Sequence, residues 1–523
     1  MEHTSKDGLL RAFIGARPKD EKLWGHRMNT NKVALATVIH VCDRLLSRIL
    51  DFAGALIVAR ILAPEVFGVI MIGVSALTMA RGLTEFPVAN ALIQKKRVDE
   101  SDYATVFALT NAHGLFLALA LAAVAGILAN MFDEPAVVAI MYCLAIAPLA
   151  EGFGSPMMAK HLRNMNFVPL AIASLAGRLA GFIVTVAIIL STGSMWALII
   201  GIVTTPIVTT ALTYILAPSK ISFSLAHGKE YFAFSSWMSL AGGVLIAYAD
   251  GTKFIVGLFV STAALGIYTV GYSLARTAIF ALAGPTVQTF FVGFSTINDE
   301  PERLRSSYLK AQSVLVTMFM PVGIGLVVIS EPLIELLLGP EWSDAAFVIA
   351  WLAPGMAYFV GAAPAQAMAM AVNETRSMFY RNLAVVVISL PLLIYGAAYH
   401  GLLGIVIARL IGSIINTFAG FALIQQLIGL SFTKQMIAGW RSMVASALML
   451  IFHTLFIAPL IDTTGQSILA QSSILIGVIA INGVIFLTSI SGLWVLCGRP
   501  TGPETALVGM VMQRLNALRG RKS

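Results

Sequence analysis

"IVARILAPEVFGVI", residues 57–70, aligns without gaps on "IVGLFVSTAALGIY", residues 255–268. Each stretch joins two long apolar runs through a short connector, "APEV" in the first and "VSTAA" in the second. Working outward from these joints, fourteen mainly apolar segments can be placed, at 33–61, 66–94, 103–129, 135–159, 167–190, 195–216, 233–259, 265–294, 311–338, 345–372, 377–398, 402–427, 440–461 and 469–496. A helix of about 20 such residues crosses the hydrocarbon core of a bilayer. Segments one to six and seven to twelve form two sets, with the repeated joint at the same place in each. An even number of spans per set makes both start from the same side, as in parallel repeats related by an axis along the membrane normal, whose substrate sites lie between the repeats. The expectation is an all-α integral membrane protein with about fourteen transmembrane helices: two six-helix sets and two additional C-terminal helices.

Composition agrees. Of 523 residues, 58% are hydrophobic and 11% charged, against about a quarter charged in a soluble domain, and mean hydropathy is +0.86. The net charge of +8 does not point to nucleic acid, because the basic residues form no aromatic-interleaved patch. They gather instead in alternate connections: Lys95, Lys96 and Arg97; Lys160 and Arg163; Lys220 and Lys229; Arg303, Arg305 and Lys310; Arg376 and Arg381; Lys434 and Arg441. The intervening connections carry no Lys or Arg. Lys and Arg accumulate on the cytoplasmic side, so both termini are expected there, with short outward loops. The resulting division is a tail at 1–32, a first lobe at 33–216, a cytoplasmic loop at 217–232, a second lobe at 233–427, a helix pair at 428–497 and a tail at 498–523. The N-terminal tail shows no cleavable signal pattern and is expected to be retained. In the C-terminal tail Leu507, Val511, Leu515 and Leu518 recur at helical spacing beside Arg514, Arg519, Arg521 and Lys522, the pattern of an amphipathic helix on an anionic leaflet.

Cys42, Cys143 and Cys497 stand far apart, the eight histidines are scattered, and no HExxH or Walker motif occurs. Neither a metal, a cofactor nor bound ATP is expected. Met-rich "GMAYFVGAAPAQAMAMAV", residues 355–372, reads as close helix packing through small residues.

The charges within the apolar segments carry the functional signal, since each costs roughly 2.5–3.5 kcal/mol near the bilayer centre and normally faces a bundle interior or a watery cavity. At about 100° per residue, Arg44, Arg48 and Asp51 share one face of the first segment. Arg60 lies nearly opposite at the outer end, where snorkelling accounts for it. Arg81 and Glu85 stand at i, i+4 in segment two; Asp250 and Lys253 stand at i, i+3 in segment seven, followed by Arg276 in segment eight; Glu151, Arg178 and Arg409 add charges in segments four, five and twelve. One reading is a lumen whose arginines receive a phosphate-bearing head group. The other is internal pairing that fixes helix packing, such as Arg48 with Asp51.

"ARILAPEVFGVIMIG" (59–73) followed by "ANALIQKK" (89–96), then "ADGTKFIVGLFVSTAALGIYTVGYSLART" (249–277) and "DEPERLRSSYLKAQSVLVTMFMPVGIGLVVISEPLIELLLGPEW" (299–342) resemble polysaccharide flippases of the multidrug/oligosaccharidyl-lipid/polysaccharide superfamily, in its Wzx-like and succinoglycan-exporter-like branch. The resemblance covers about residues 40–430. It implies two six-helix lobes in a V around a central cavity, and alternating access that moves an undecaprenyl-diphosphate-linked oligosaccharide across the inner membrane for exopolysaccharide or lipopolysaccharide biosynthesis. Implied partners are that lipid-linked sugar, membrane lipids, and the polymerase and chain-length or export proteins of the same pathway. Arg48, Arg81 and Arg276, with Arg44 and Lys253, are the positions matched by helix and depth to a diphosphate-binding cavity. The chain departs from the family's pattern at Glu85 and Pro87, where many relatives have an Asp-Leu-Gly-Leu-like run, and at Lys253, where an uncharged residue is usual. A cation-coupled exporter of small molecules, with Asp51, Glu85 and Asp250 as ion sites, is the competing reading of the same architecture. A glycan polymerase or ligase, an enzyme of the same pathway, fits less well, because outward loops this short hold no catalytic site.

Overall fold

A computed structural model describes residues 30–84, 98–164, 166–219, 222–226, 228, 248–297, 299–372, 374–460, 467–500, 502 and 505. The tail before residue 30, Glu85 and Pro87, the first half of segment seven, most of the loop between the lobes and the amphipathic stretch after residue 505 lie outside the described residues, as does the side chain of Arg44.

The helices are α1 Thr30–Ile61, α2 Pro64–Leu83, α3 Glu100–Phe132, α4 Ala136–Gly152, α5 Met158–Arg163, α6 Val168–Thr192 and α7 Trp196–Leu216. They continue with α8, residues 248–259, then α9 Thr262–Ser295, α10 Pro301–Leu337, α11 Ser343–Val360, α12 Pro364–Ala371, α13 Thr375–Ile428, α14 Phe432–Ile437, α15 Trp440–Phe452 and α16 Ile468–Leu496. Local chemistry sets their ends. Pro64 opens α2 with Glu65 in its first turn, where a missing N–H costs nothing and a carboxylate meets the positive helix end. Asp99 and Asp102 form a reciprocal capping box at the start of α3.

Among the described residues nine helices are long and apolar enough to cross a membrane. That is fewer than the fourteen segments expected, for identifiable reasons. The 54-residue α13 contains two of those segments, folded back at Gly401, which takes φ 56° and ψ −139°. α4 has 17 residues, half of segment seven lies outside the described residues, and α1 and α9, the helices of segments one and eight, are not among the nine. Many large apolar side chains, among them Leu119, Ile183, Leu190 and Ile215, are exposed on the helix exteriors, as a bilayer solvent demands.

Two sets of helices emerge from the packing. In the first, α1 packs on α6, α2 on α4, α3 on α4, α4 on α7 and α6 on α7; in the second, α9 packs on α11 and α12, α10 on α11, and α11 and α12 on α13. α15 and α16 pair with each other and rest on α10. The α6–α7 seam is built from small residues, Gly177 and Gly181 against Thr205 and Thr209 and Gly201 against Thr185. Without a hydrophobic drive between helices in lipid, close backbone approach is what holds such a seam. The two sets meet where α2 packs on α9.

Candidate functional site

A cavity of about 410 Å³ opens inside the helices, walled by Asp51 and Gly54 of α1, Phe67, Met71, Val74, Thr78 and Arg81 of α2, Glu151 of α4, Arg178 and Thr185 of α6, Thr205 and Pro206 of α7, Lys253 of α8 and Thr269 and Ser273 of α9. Its walls come from both helix sets. Five ionisable side chains therefore converge within the apolar segments, where charge is tolerated only with a partner or water.

Each of them has a partner. Arg178 donates to Asp51, linking α6 to α1. Arg81 donates to Glu151 across 2.9 Å, linking α2 to α4. Lys253 donates to Asp250 of its own helix across 2.7 Å. The first two pairs line the cavity and are accessible from it, with side-chain exposures of 34% for Arg178, 56% for Asp51, 34% for Arg81 and 47% for Glu151; the Lys253–Asp250 pair is more buried, at 16% and 14%. Among the described residues the buried Nε of Arg81 has no hydrogen-bond partner, while the side chain as a whole is 34% exposed. Wet pairs are individually weak, about 0.2–1 kcal/mol. Arg178→Gln is accordingly expected to lower stability by about 1 kcal/mol at most, read as a small shift of the unfolding temperature in detergent.

Of the cations nominated from the sequence, Arg81 and Lys253 line the cavity, whereas Arg48 and Arg276 are outside its lining. Both are exposed, and neither has a hydrogen-bond or ion-pair partner among the described residues. They nonetheless continue its walls: Arg48 sits three and seven residues before the lining positions Asp51 and Ala55, and Arg276 three and seven after Ser273 and Thr269, the spacing of one helical face. Among the carboxylates nominated for an ion, Asp51 lines the cavity, Asp250 is held by Lys253, and Glu85 lies outside the described residues.

Two readings need correction. Asp51 pairs with Arg178 on another helix rather than with Arg48 one turn away. Arg60 does not simply snorkel: its Nη1 donates to the Leu336 carbonyl at the end of α10, across 2.7 Å. Glu151 and Arg178 belong to the site although the sequence reading did not nominate them. The available signal was their charge within an apolar segment. Arg409 is held differently, its guanidinium lying 5.0 Å from the Tyr248 ring centre and 5.3 Å from that of Tyr272, a cation–π arrangement.

A multi-pass helical membrane protein whose spans enclose a charged cavity has the form of a transporter. The chain belongs to the polysaccharide biosynthesis protein family, whose profile matches residues 57–347. It is similar to the lipopolysaccharide biosynthesis protein WzxC of Escherichia coli (strain K12), with 23% identity over 418 residues, 78% of this chain and 82% of that one. Similarity to the succinoglycan biosynthesis transport protein ExoT of Rhizobium meliloti (strain 1021) is 22% over 307 residues, 58% of this chain and 62% of that one. Among solved structures, the lipid II flippase MurJ in an inward closed conformation aligns with a TM-score of 0.66 at 14% identity, covering 87% of this chain and 99% of that one. An inward-facing multidrug resistance MATE family transporter aligns with a TM-score of 0.56 at 14% identity, over 74% of this chain and 98% of that one. At these identities the two structures establish a shared fold.

Proposed function

We propose that the protein is a flippase that carries undecaprenyl-diphosphate-linked oligosaccharide repeat units from the inner to the outer leaflet of the inner membrane, for exopolysaccharide or lipopolysaccharide biosynthesis. The observation that carries this reading is the cavity itself: Arg81, Arg178 and Lys253 converge within the spans of a chain of the polysaccharide biosynthesis family. Guanidinium groups match phosphate oxygens in a planar, bidentate geometry. On this reading an arriving diphosphate competes with Glu151 for the exposed part of the Arg81 guanidinium, while Arg48 and Arg276 meet it one turn toward the cytoplasm. The sugars then occupy the wet part of the cavity. Beside it a second pocket of about 390 Å³, walled by apolar residues of α2, α3, α4 and α8 including Met79, Met131 and Phe254, offers the isoprenoid chain a surface that shares helices α2 and α8 with the charged cavity.

The lobes are proposed at residues 33–216 and 233–427, rocking about the cavity in alternating access, with both termini cytoplasmic as the basic loops require. No bond is made or broken in this transport. The pathway's polymerase and chain-length proteins would take the product. A cation-coupled small-molecule exporter keeps one observation in its favour, the carboxylates Asp51 and Glu151 in the cavity wall.

The test is the chemical state of lipid-linked sugar in a deletion strain. Complete undecaprenyl-diphosphate repeat units are expected to accumulate on the cytoplasmic face and to clear when the intact gene is restored. Normal lipid-linked sugar and polymer, with redundant flippases removed, together with drug resistance that follows an ion gradient, would transfer the assignment to the exporter.

A further inference from the structure

The joint repeated at residues 57–70 and 255–268 meets its own copy in the fold. With the offset of the alignment, Pro64 corresponds to Thr262 and Gly68 to Gly266. In the structure these four residues form one reciprocal contact. A Cβ placed on Gly68 would lie 1.8 Å from the Thr262 carbonyl oxygen and 3.2 Å from the Gly266 nitrogen; one on Gly266 would lie 2.2 Å from the Pro64 carbonyl oxygen and 3.2 Å from the Gly68 nitrogen. Each glycine thus rests against the helix start of the other repeat, so α2 and α9 cross backbone to backbone about a pseudo-twofold axis. Only a residue without Cβ permits this approach.

The crossing sits at one end of the cavity, because Met71 and Thr269, each three residues further along its helix, already line the cavity. Other contacts close the same end. Phe67 meets Trp342 edge-on with ring centres 5.6 Å apart, Phe132 meets Phe254 at 6.0 Å, and Arg60 of α1 holds the Leu336 carbonyl of α10. All join the first helix set to the second. The loops at this end, at residues 62–63 and 260–261, are the ones without Lys or Arg, which places the crossing on the outer side.

We propose that the Gly68–Gly266 crossing is the outer gate of the cavity: closed here, and parted whenever the cavity opens outward. Closure rests on backbone contact between two copies of one motif. Adding a methyl group to either glycine therefore disfavours the closed state specifically and shifts the population toward the open one. The gate rests on the transporter reading but not on the identity of the cargo, and its first test needs no cargo.

In a background with Cys42, Cys143 and Cys497 replaced by Ser, Ser273→Cys puts one thiol in the cavity wall. A membrane-impermeant maleimide added from outside should label it slowly. Gly68→Ala and Gly266→Ala should each raise the labelling rate about fivefold or more, while Gly73→Ala should leave it unchanged. Gly73 is the control because the atoms nearest its added Cβ belong to Ile140 and Leu144 of the first helix set. Equal acceleration in all three variants, or none in the two gate variants, would overturn the proposal. A second measurement leaves the glycines intact: joining Arg60→Cys to Leu336→Cys with a short reversible bifunctional thiol reagent should stop polymer export, and reductant should restore it. In a strain whose export depends on this protein, undiminished export with the link in place would equally count against the gate. Because labelling reads conformation alone, a flat labelling result discards the gate without touching the flippase reading, and normal lipid-linked sugar in the deletion strain discards the flippase reading without touching the gate.

Discussion

Neutralising Arg48, Arg81 and Arg276 together with Gln is expected to abolish polymer export and leave complete lipid-linked repeat units facing the cytoplasm, with the protein still in the membrane. Hydrogen bonds to a charged group contribute about 1.5–3 kcal/mol each. Three lost contacts to a diphosphate remove about 4–9 kcal/mol, a thousandfold or more in affinity. The fold should tolerate this, because Arg48 and Arg276 have no partner among the described residues and only Glu151, itself 47% exposed, loses one. Arg81→Lys is the sharper single variant: it keeps the charge but loses the planar fork, and is expected to retain intermediate export. Export at the parental rate in the triple variant would remove phosphate recognition from these arginines.

The largest effect on stability is expected at Asp250→Asn. With 14% and 16% exposure, the Asp250–Lys253 pair is shielded from the water that screens the other two pairs. Removing one member of a buried pair leaves an uncompensated charge and costs about 3–5 kcal/mol. The double variant Asp250→Asn/Lys253→Met should recover most of that loss, because neither charge then remains. The measurement is a double-mutant cycle from unfolding temperatures in detergent, in which single effects that simply add would show that the pair contributes nothing. The same protein serves function. A stable double variant that no longer exports polymer would place the Lys253 ammonium on the substrate, and one that exports normally would confine it to packing.

What was legible in the sequence has a period or a run length. Apolar stretches of bilayer length, basic loops at alternate connections and a joint repeated in two places are one-dimensional signals. They yielded the helical membrane class, the two sets of helices and most of their positions. The charges of the site were equally visible, since an ionisable residue in an apolar segment stands out. Their partners were not. Asp51 and Arg178 are 127 residues apart, and Arg81 and Glu151 are 70 apart. A helix aligns residues three or four apart on one face but says nothing of which helix will pack beside it, so local spacing pointed Asp51 to Arg48 instead. Gly68 illustrates the same boundary. The alignment pairs it with Gly266 as an equivalent, and only folding brings the two into contact, because a pseudo-twofold axis carries equivalent positions together where they lie on the axis and apart everywhere else.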